Sequence, residues 1–212
     1  MQSTHPSGES RQALNDIKDI RGIMERSTKF LSLSGMSGIW AGAIALLSAG
    51  IAWKLDLSYY FHTRMNDATP YRNDFQVILL ALFTFFTAFA GAFYFTWEKA
   101  HNTSQSMWTK ASRELMRQVA IPIVAGAIFC IAFLHYDSYI FIAPTCLAFY
   151  GLALVNGSKY TLGEIRWLGY SEIILGCIAL FVPYYGLLFL AIGFGILHII
   201  YGIAMWTKYD RA

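Results

Sequence analysis

Long apolar blocks alternate with short polar stretches along this chain, and the blocks are too long for a soluble core. Residues 30–53 and 75–97 hold no Asp, Glu, Lys or Arg, and each reaches the ~20 residues a helix needs to cross the ~30 Å hydrocarbon layer of a bilayer. Residues 119–134 and 138–155 are shorter, separated only by His135, Tyr136 and Asp137, where so long an apolar stretch can turn back. Residues 167–182 and 184–206 form a further hairpin broken at Pro183, whose missing N–H cannot continue a helix. This pattern predicts an all-α integral membrane bundle of six transmembrane helices. Residues 1–29 precede the membrane domain (30–206) and residues 207–212 form a tail.

Composition agrees with that pattern. Hydrophobic residues make up 56% and charged residues 14% of the 212, against about 25% charged in a typical soluble domain. The flanking charges then orient the bundle. Thirteen Lys and Arg fall in the N-terminal segment, the second and fourth connections and the tail, and three (Lys54, Arg64, Arg72) fall on the opposite side. Positive charge stays on the cytoplasmic side, so both termini are expected there. Trp53, Trp97, Trp167 and Trp206 sit at span ends, where amphipathic rings settle at the interface. Trp40 is an exception within a span.

The polar stretches add little chemistry. Ala13, Ile17, Ile20 and Met24 draw an apolar stripe, which predicts an N-terminal amphipathic helix that lies on the bilayer or pairs with a second copy or a partner protein. Trp108, Ala111 and Leu115 draw a shorter stripe, again read as interfacial. The first ten residues offer no basic region leading into an apolar run, so no cleaved signal is expected. The external connection from Lys54 to Asp74 carries acids, tyrosines and His62 without metal-ligand spacing. Cys130, Cys146 and Cys177 lie in apolar blocks, far apart in sequence, and read as reduced small hydrophobes.

Enzyme and nucleic-acid motifs are incomplete. Gly151–Lys159 (GLALVNGSK) has the wrong glycine spacing and order for a phosphate loop. The run around Ser37 lacks a nucleophile elbow's second glycine. No two of the five histidines stand at i, i+4. No basic, aromatic-interleaved groove suggests nucleic acid. No catalytic residue, metal site or cofactor is therefore predicted, and the lipid bilayer is the expected partner.

Small-residue stripes remain: Ser34, Gly38 and Gly42 in the first span, Gly169 and Gly176 in the fifth, and Ala191, Gly195 and Gly202 in the sixth. In lipid, close backbone approach at such residues is how helices gain packing energy. The fifth and sixth spans also carry the most informative pair. Glu172 is the one acidic or basic residue inside any predicted span, and His198 is the histidine deep inside one; each stands thirteen residues from Tyr185 at the turn. Antiparallel helices would bring them to one level. A charge in the bilayer core costs about 2.5–3.5 kcal/mol or more, so Glu172 should be paired, protonated or beside water. The pair reads either as a structural bond or as a proton-handling or ligand-contacting site. A second polar set, Asn156, Lys159, Glu164 and Arg166, is placed at the cytoplasmic face.

The C-terminal stretch LGYSEIILGCIALFVPYYGLLFLAIGFGILHIIYGI, with its LGxIALFxP-like turn at Leu175–Pro183, resembles the HdeD-type six-helix bacterial membrane proteins linked to acid resistance. The resemblance covers about a fifth of the chain. It implies a stress-related protein of the bacterial cytoplasmic membrane and brings no enzymatic residues with it. The expected function is non-enzymatic: scaffold, sensor or accessory subunit. A small transporter or proton-coupled channel using Glu172 and His198 is the alternative, and a membrane enzyme acting on a lipid or quinone stands third.

Overall fold

In the computed structural model, residues 33–55, 57, 74–103 and 106–211 are described. The N-terminal stripe and most of the external connection lie outside the described residues. Within them the chain is all-helical. Helix α1 is Gly35–Lys54, α2 Asp74–Asn102, α3 Lys110–His135, α4 Ile142–Gly157, α5 Glu164–Phe181 and α6 Gly186–Asp210. Short 3-10 turns extend α4 at both ends, Tyr139–Phe141 and Ser158–Tyr160.

Five of these, counting α4 with its flanking turns, are long and apolar enough to cross a membrane. The exception is α5. It has 18 residues and includes Glu164, Arg166 and Glu172, so it has no charge-poor stretch long enough to match the others. The faces of the outer helices read inside-out. On α2, Phe75, Phe83, Phe86 and Phe89 are exposed, a continuous apolar face that a soluble monomer rarely presents.

Local chemistry fixes the helix ends. Thr109 and Ser112 cap α3 reciprocally: the Thr109 hydroxyl accepts from Ser112 N at 3.0 Å and the Ser112 hydroxyl from Thr109 N at 2.9 Å, satisfying two N–H groups the first turn leaves open. This cap starts α3 nine residues before the predicted span. The Trp108–Ala111–Leu115 stripe is therefore the cap region and first turns of α3, and no separate interfacial helix forms there. At the other end Asp137 adopts φ 55°. Its N–H reaches Leu134 O, and Ser138 N–H reaches Phe133 O at 2.7 Å, the paired bonds of a left-handed helix stop. His135–Asp137 is thus the turn the sequence places there.

Packing orders the helices. α1 lies against α2 and α6, α4 lies between α3 and α5, and α5 meets α6. The small residues mark two backbone-close pairs. A Cβ added at Gly42 would lie 2.6 Å from Gly195 O, and one at Gly202 would lie 2.6 Å from Ile39 N. These join α1 to α6. A Cβ at Gly151 would lie 2.6 Å from Gly169 O, and one at Gly176 2.8 Å from Ala148 N. These join α4 to α5. The glycines of the fifth and sixth helices therefore face other neighbours, not each other. Each helix has more than one face, and the glycines serve the flanking helix.

Polar contacts hold α2 on α1. The Trp40 indole donates to Thr87 O at 3.1 Å and sits against Gly91, which explains a tryptophan in mid-helix. The Ser48 and Thr84 hydroxyls lie 2.7 Å apart.

Candidate functional site

Three helices converge on one buried polar line. Glu172 comes from the middle of α5 and is fully buried; His198, from α6, is 6% exposed. Tyr150 reaches in from α4. The His198 Nε2 lies 2.8 Å from Tyr150 Oη and its Nδ1 lies 3.0 Å from Gly193 O. A carbonyl only accepts, so Nδ1 carries a proton and donates to Gly193. A neutral imidazole then accepts the tyrosine hydroxyl proton at Nε2. Both ring nitrogens are satisfied.

The backbone of α6 makes that arrangement possible. Ala191–Leu197 winds as a π-helix, and His198 begins the α-helical stretch that follows it. Widened turns of this kind frequently accompany functional sites in helices. Gly193, inside the π stretch, has its Cα against the acid. A Cβ there would meet Glu172 Oε2 at 2.6 Å and Leu147 Cδ2 at 2.5 Å. Phe194 packs edge-on against Tyr150, with ring centres 5.1 Å apart.

Glu172 itself is left over. Its Oε1 lies 3.5 Å from His198 Nδ1, beyond the 2.7–3.2 Å of an N–H···O bond. Neither carboxyl oxygen has a hydrogen-bond partner among the described residues. The structure thus brings Glu172 and His198 into contact, but the histidine proton is directed to Gly193. A buried polar group without a partner costs about 1–3 kcal/mol, so this acid does not sit where it best stabilises the fold.

The second predicted set does not gather into one site. Glu164 turns to the end of α6, where it meets Lys208 and accepts from Tyr209 Oη at 3.0 Å. Arg166 is exposed and reaches Ser158 Oγ at 3.5 Å. Lys159 is exposed and Asn156 half-buried. Partial burial pushes the Glu164 carboxyl up, but hydrogen bonds from Lys208 and Tyr209 outweigh it and hold the group below its ordinary value.

Sequence reasoning missed Tyr150, Gly193 and a clamp at Asp210. Asp210 Oδ2 accepts from Gly35 N at 2.9 Å and from Ser34 Oγ at 3.2 Å, while its Oδ1 lies 2.6 Å from Lys99 Nζ. Tyr150 carried a signal, since a hydroxyl amid an apolar block needs a partner when buried. The other two depend on which helix lies opposite. The three cysteines are free thiols, as read from the sequence. Cys130 and Cys146, sixteen residues apart, have sulfurs 3.7 Å from each other. No family model, curated protein or solved structure matches the chain.

Proposed function

We propose that the chain is a non-enzymatic, proton-responsive sensor or accessory subunit: a six-span protein of the bacterial cytoplasmic membrane with both termini in the cytoplasm. One observation carries the proton response. Glu172 is fully buried without a hydrogen-bond partner, in contact with a histidine whose own bonds are complete. Gain or loss of one proton at this acid changes what His198 must pair with, and His198 ties α6 to Tyr150 of α4. A proton is then converted into a change of packing between helices. The likeness of the C-terminal hairpin to acid-resistance proteins supports the same reading.

The remaining span is residues 167–181 of α5, with the charged Glu164 and Arg166 just outside it at the cytoplasmic end and Glu172 at the site. The thirteen-to-three bias of Lys and Arg supports the orientation. In a cysteine-free background, a cysteine at Asp67 should react with an impermeant reagent added outside cells, and one at Ser104 should not. Labelling at Ser104 would reverse the topology.

Amide exchange in lipid nanodiscs tests the sensor reading. Exchange across Gly193–Gly202, after correction for intrinsic rates, should change with pH in the native chain and lose that dependence in Glu172→Gln. An unchanged pH profile in the variant would defeat the proposal. The π-helical turn beside the unpartnered acid favours a second reading, a proton-coupled carrier. Sealed vesicles containing the chain separate the two readings: Glu172-dependent proton uptake belongs to the carrier, and its absence to the sensor.

A further inference from the structure

We propose that Cys130 and Cys146 form a reversible disulfide between the two helices of one hairpin, oxidised by quinone dissolved in the membrane. The inference goes beyond the proton response and uses neither Glu172 nor His198.

The two thiols belong to adjacent antiparallel helices and are held in register from both sides. One turn before Cys130, Gly126 lets α4 approach so closely that a Cβ there would lie 2.6 Å from Phe149 Cβ. Phe129 and Phe149 stack with ring centres 5.3 Å apart, and on the other side Phe133 and Phe141 lie 5.6 Å apart. Between these two aromatic contacts the sulfurs stand 3.7 Å apart. Both are free thiols and both are half-buried. The ~2.05 Å of a disulfide is then about 1.7 Å of approach away, within reach of side-chain rotation.

The surroundings choose the oxidant. Cys130 stands five residues before the end of α3 at His135, about 7.5 Å along the helix axis. Its neighbours Ile128, Phe129 and Ile131 are exposed apolar side chains, so the pair borders lipid. Charged oxidants such as glutathione disulfide do not enter that layer, whereas an isoprenoid quinone resides in it. The reaction balances as one two-electron step. The two S–H bonds break and one S–S bond forms, and the two protons and two electrons convert the quinone's carbonyls to the hydroxyls of a quinol. A dithiol reverses it. The product links α3 to α4 and removes the freedom of α3 to slide against its partner.

The test uses the reduced full-length chain in nanodiscs with a fully substituted decyl benzoquinone, followed by alkylation and mass spectrometry. The expected product is two hydrogens lighter. It carries alkyl only at Cys177, contains a Cys130–Cys146 cross-linked peptide, and forms with one quinol per chain. Cys177→Ser should behave identically, and Cys130→Ser should consume no quinone. A water-soluble charged disulfide should leave all three thiols alkylatable. Three alkylated thiols after quinone, or a disulfide that involves Cys177 or a second chain, would overturn the proposal. Oxidation of Cys130 and Cys146 by the charged disulfide at an equal rate would overturn the choice of oxidant.

Discussion

A side chain's worth to the fold and its worth to function come apart at Glu172. Tyr150 and His198 each satisfy the other, and His198 also satisfies its Nδ1 at Gly193 O. Tyr150→Phe removes the hydroxyl and leaves Nε2 buried alone, so it should cost about 1–3 kcal/mol in reversible unfolding. Glu172→Met should behave oppositely. It removes two oxygens that have no partner and keeps similar bulk, so stability should be unchanged or higher while the pH response disappears. A large loss of stability in Glu172→Met would instead make the acid a structural pin. A cycle between Tyr150→Phe and His198→Leu should be strongly non-additive, since both delete one bond. Sequence could place Glu172 and His198 at one level because helix rise is regular and the turn at Pro183 was visible. It could not place Tyr150, because which residue of the fourth helix faces the sixth depends on helix rotation and not on rise.

At the scale of helices, glycine decides who touches whom. The legible part was that small-residue stripes exist; the illegible part was their pairing, since a stripe does not name its neighbour. Two substitutions separate contact from mere glycine content. Gly202→Ala places a methyl 2.6 Å from Ile39 N and 2.9 Å from Gly35 O. Backbone atoms cannot rotate away, so α1 and α6 must separate, a change that should cost about 1–3 kcal/mol. Gly50→Ala meets nothing within 4 Å, and alanine is the better helix former, so it should be neutral or slightly stabilising. Equal effects of the two would mean the α1–α6 contact is not what holds these helices. The helix limits follow the same division. The helix ends at His135 and Phe181 fall within one residue of the span ends read from the sequence, 134 and 182, because a polar turn and a proline are local signals. The start of α3 at Lys110 was hidden, because its Thr109–Ser112 cap lies in a polar stretch that hydropathy passes over.

One end of the bundle is closed by the last residues of the chain. Asp210 caps α1 through Gly35 N and Ser34 and meets Lys99 of α2, while Lys208 and Tyr209 meet Glu164 of α5. Three residues of α6 thus reach three other helices, and they do so by polar contacts at the bundle's end, away from the apolar faces. Within this set Glu164 gives a pH dependence whose sign can be worked out. Its carboxyl is held below the ordinary value of about 4.3. The folded state therefore favours the charged form, and the stabilisation is present above the ordinary value. It fades as pH falls through the lower, folded-state value, because protonation there removes the attraction to Lys208. Both groups are partly exposed, so salt should weaken the contact. Amide exchange at residues 206–211 should be slow and flat with pH, after correction for intrinsic rates, from neutral down to the ordinary carboxylate range and should quicken below it. Glu164→Gln should quicken exchange already at neutral pH and flatten the acid limb. Asp210→Asn separates the two anchors, since it loosens α1 and α2 from the tail while leaving Glu164 its partners. If Glu164→Gln left the acid limb intact, the closure would rest on Asp210 and Lys99 alone, and the tail would report on α1 and α2 but not on α5.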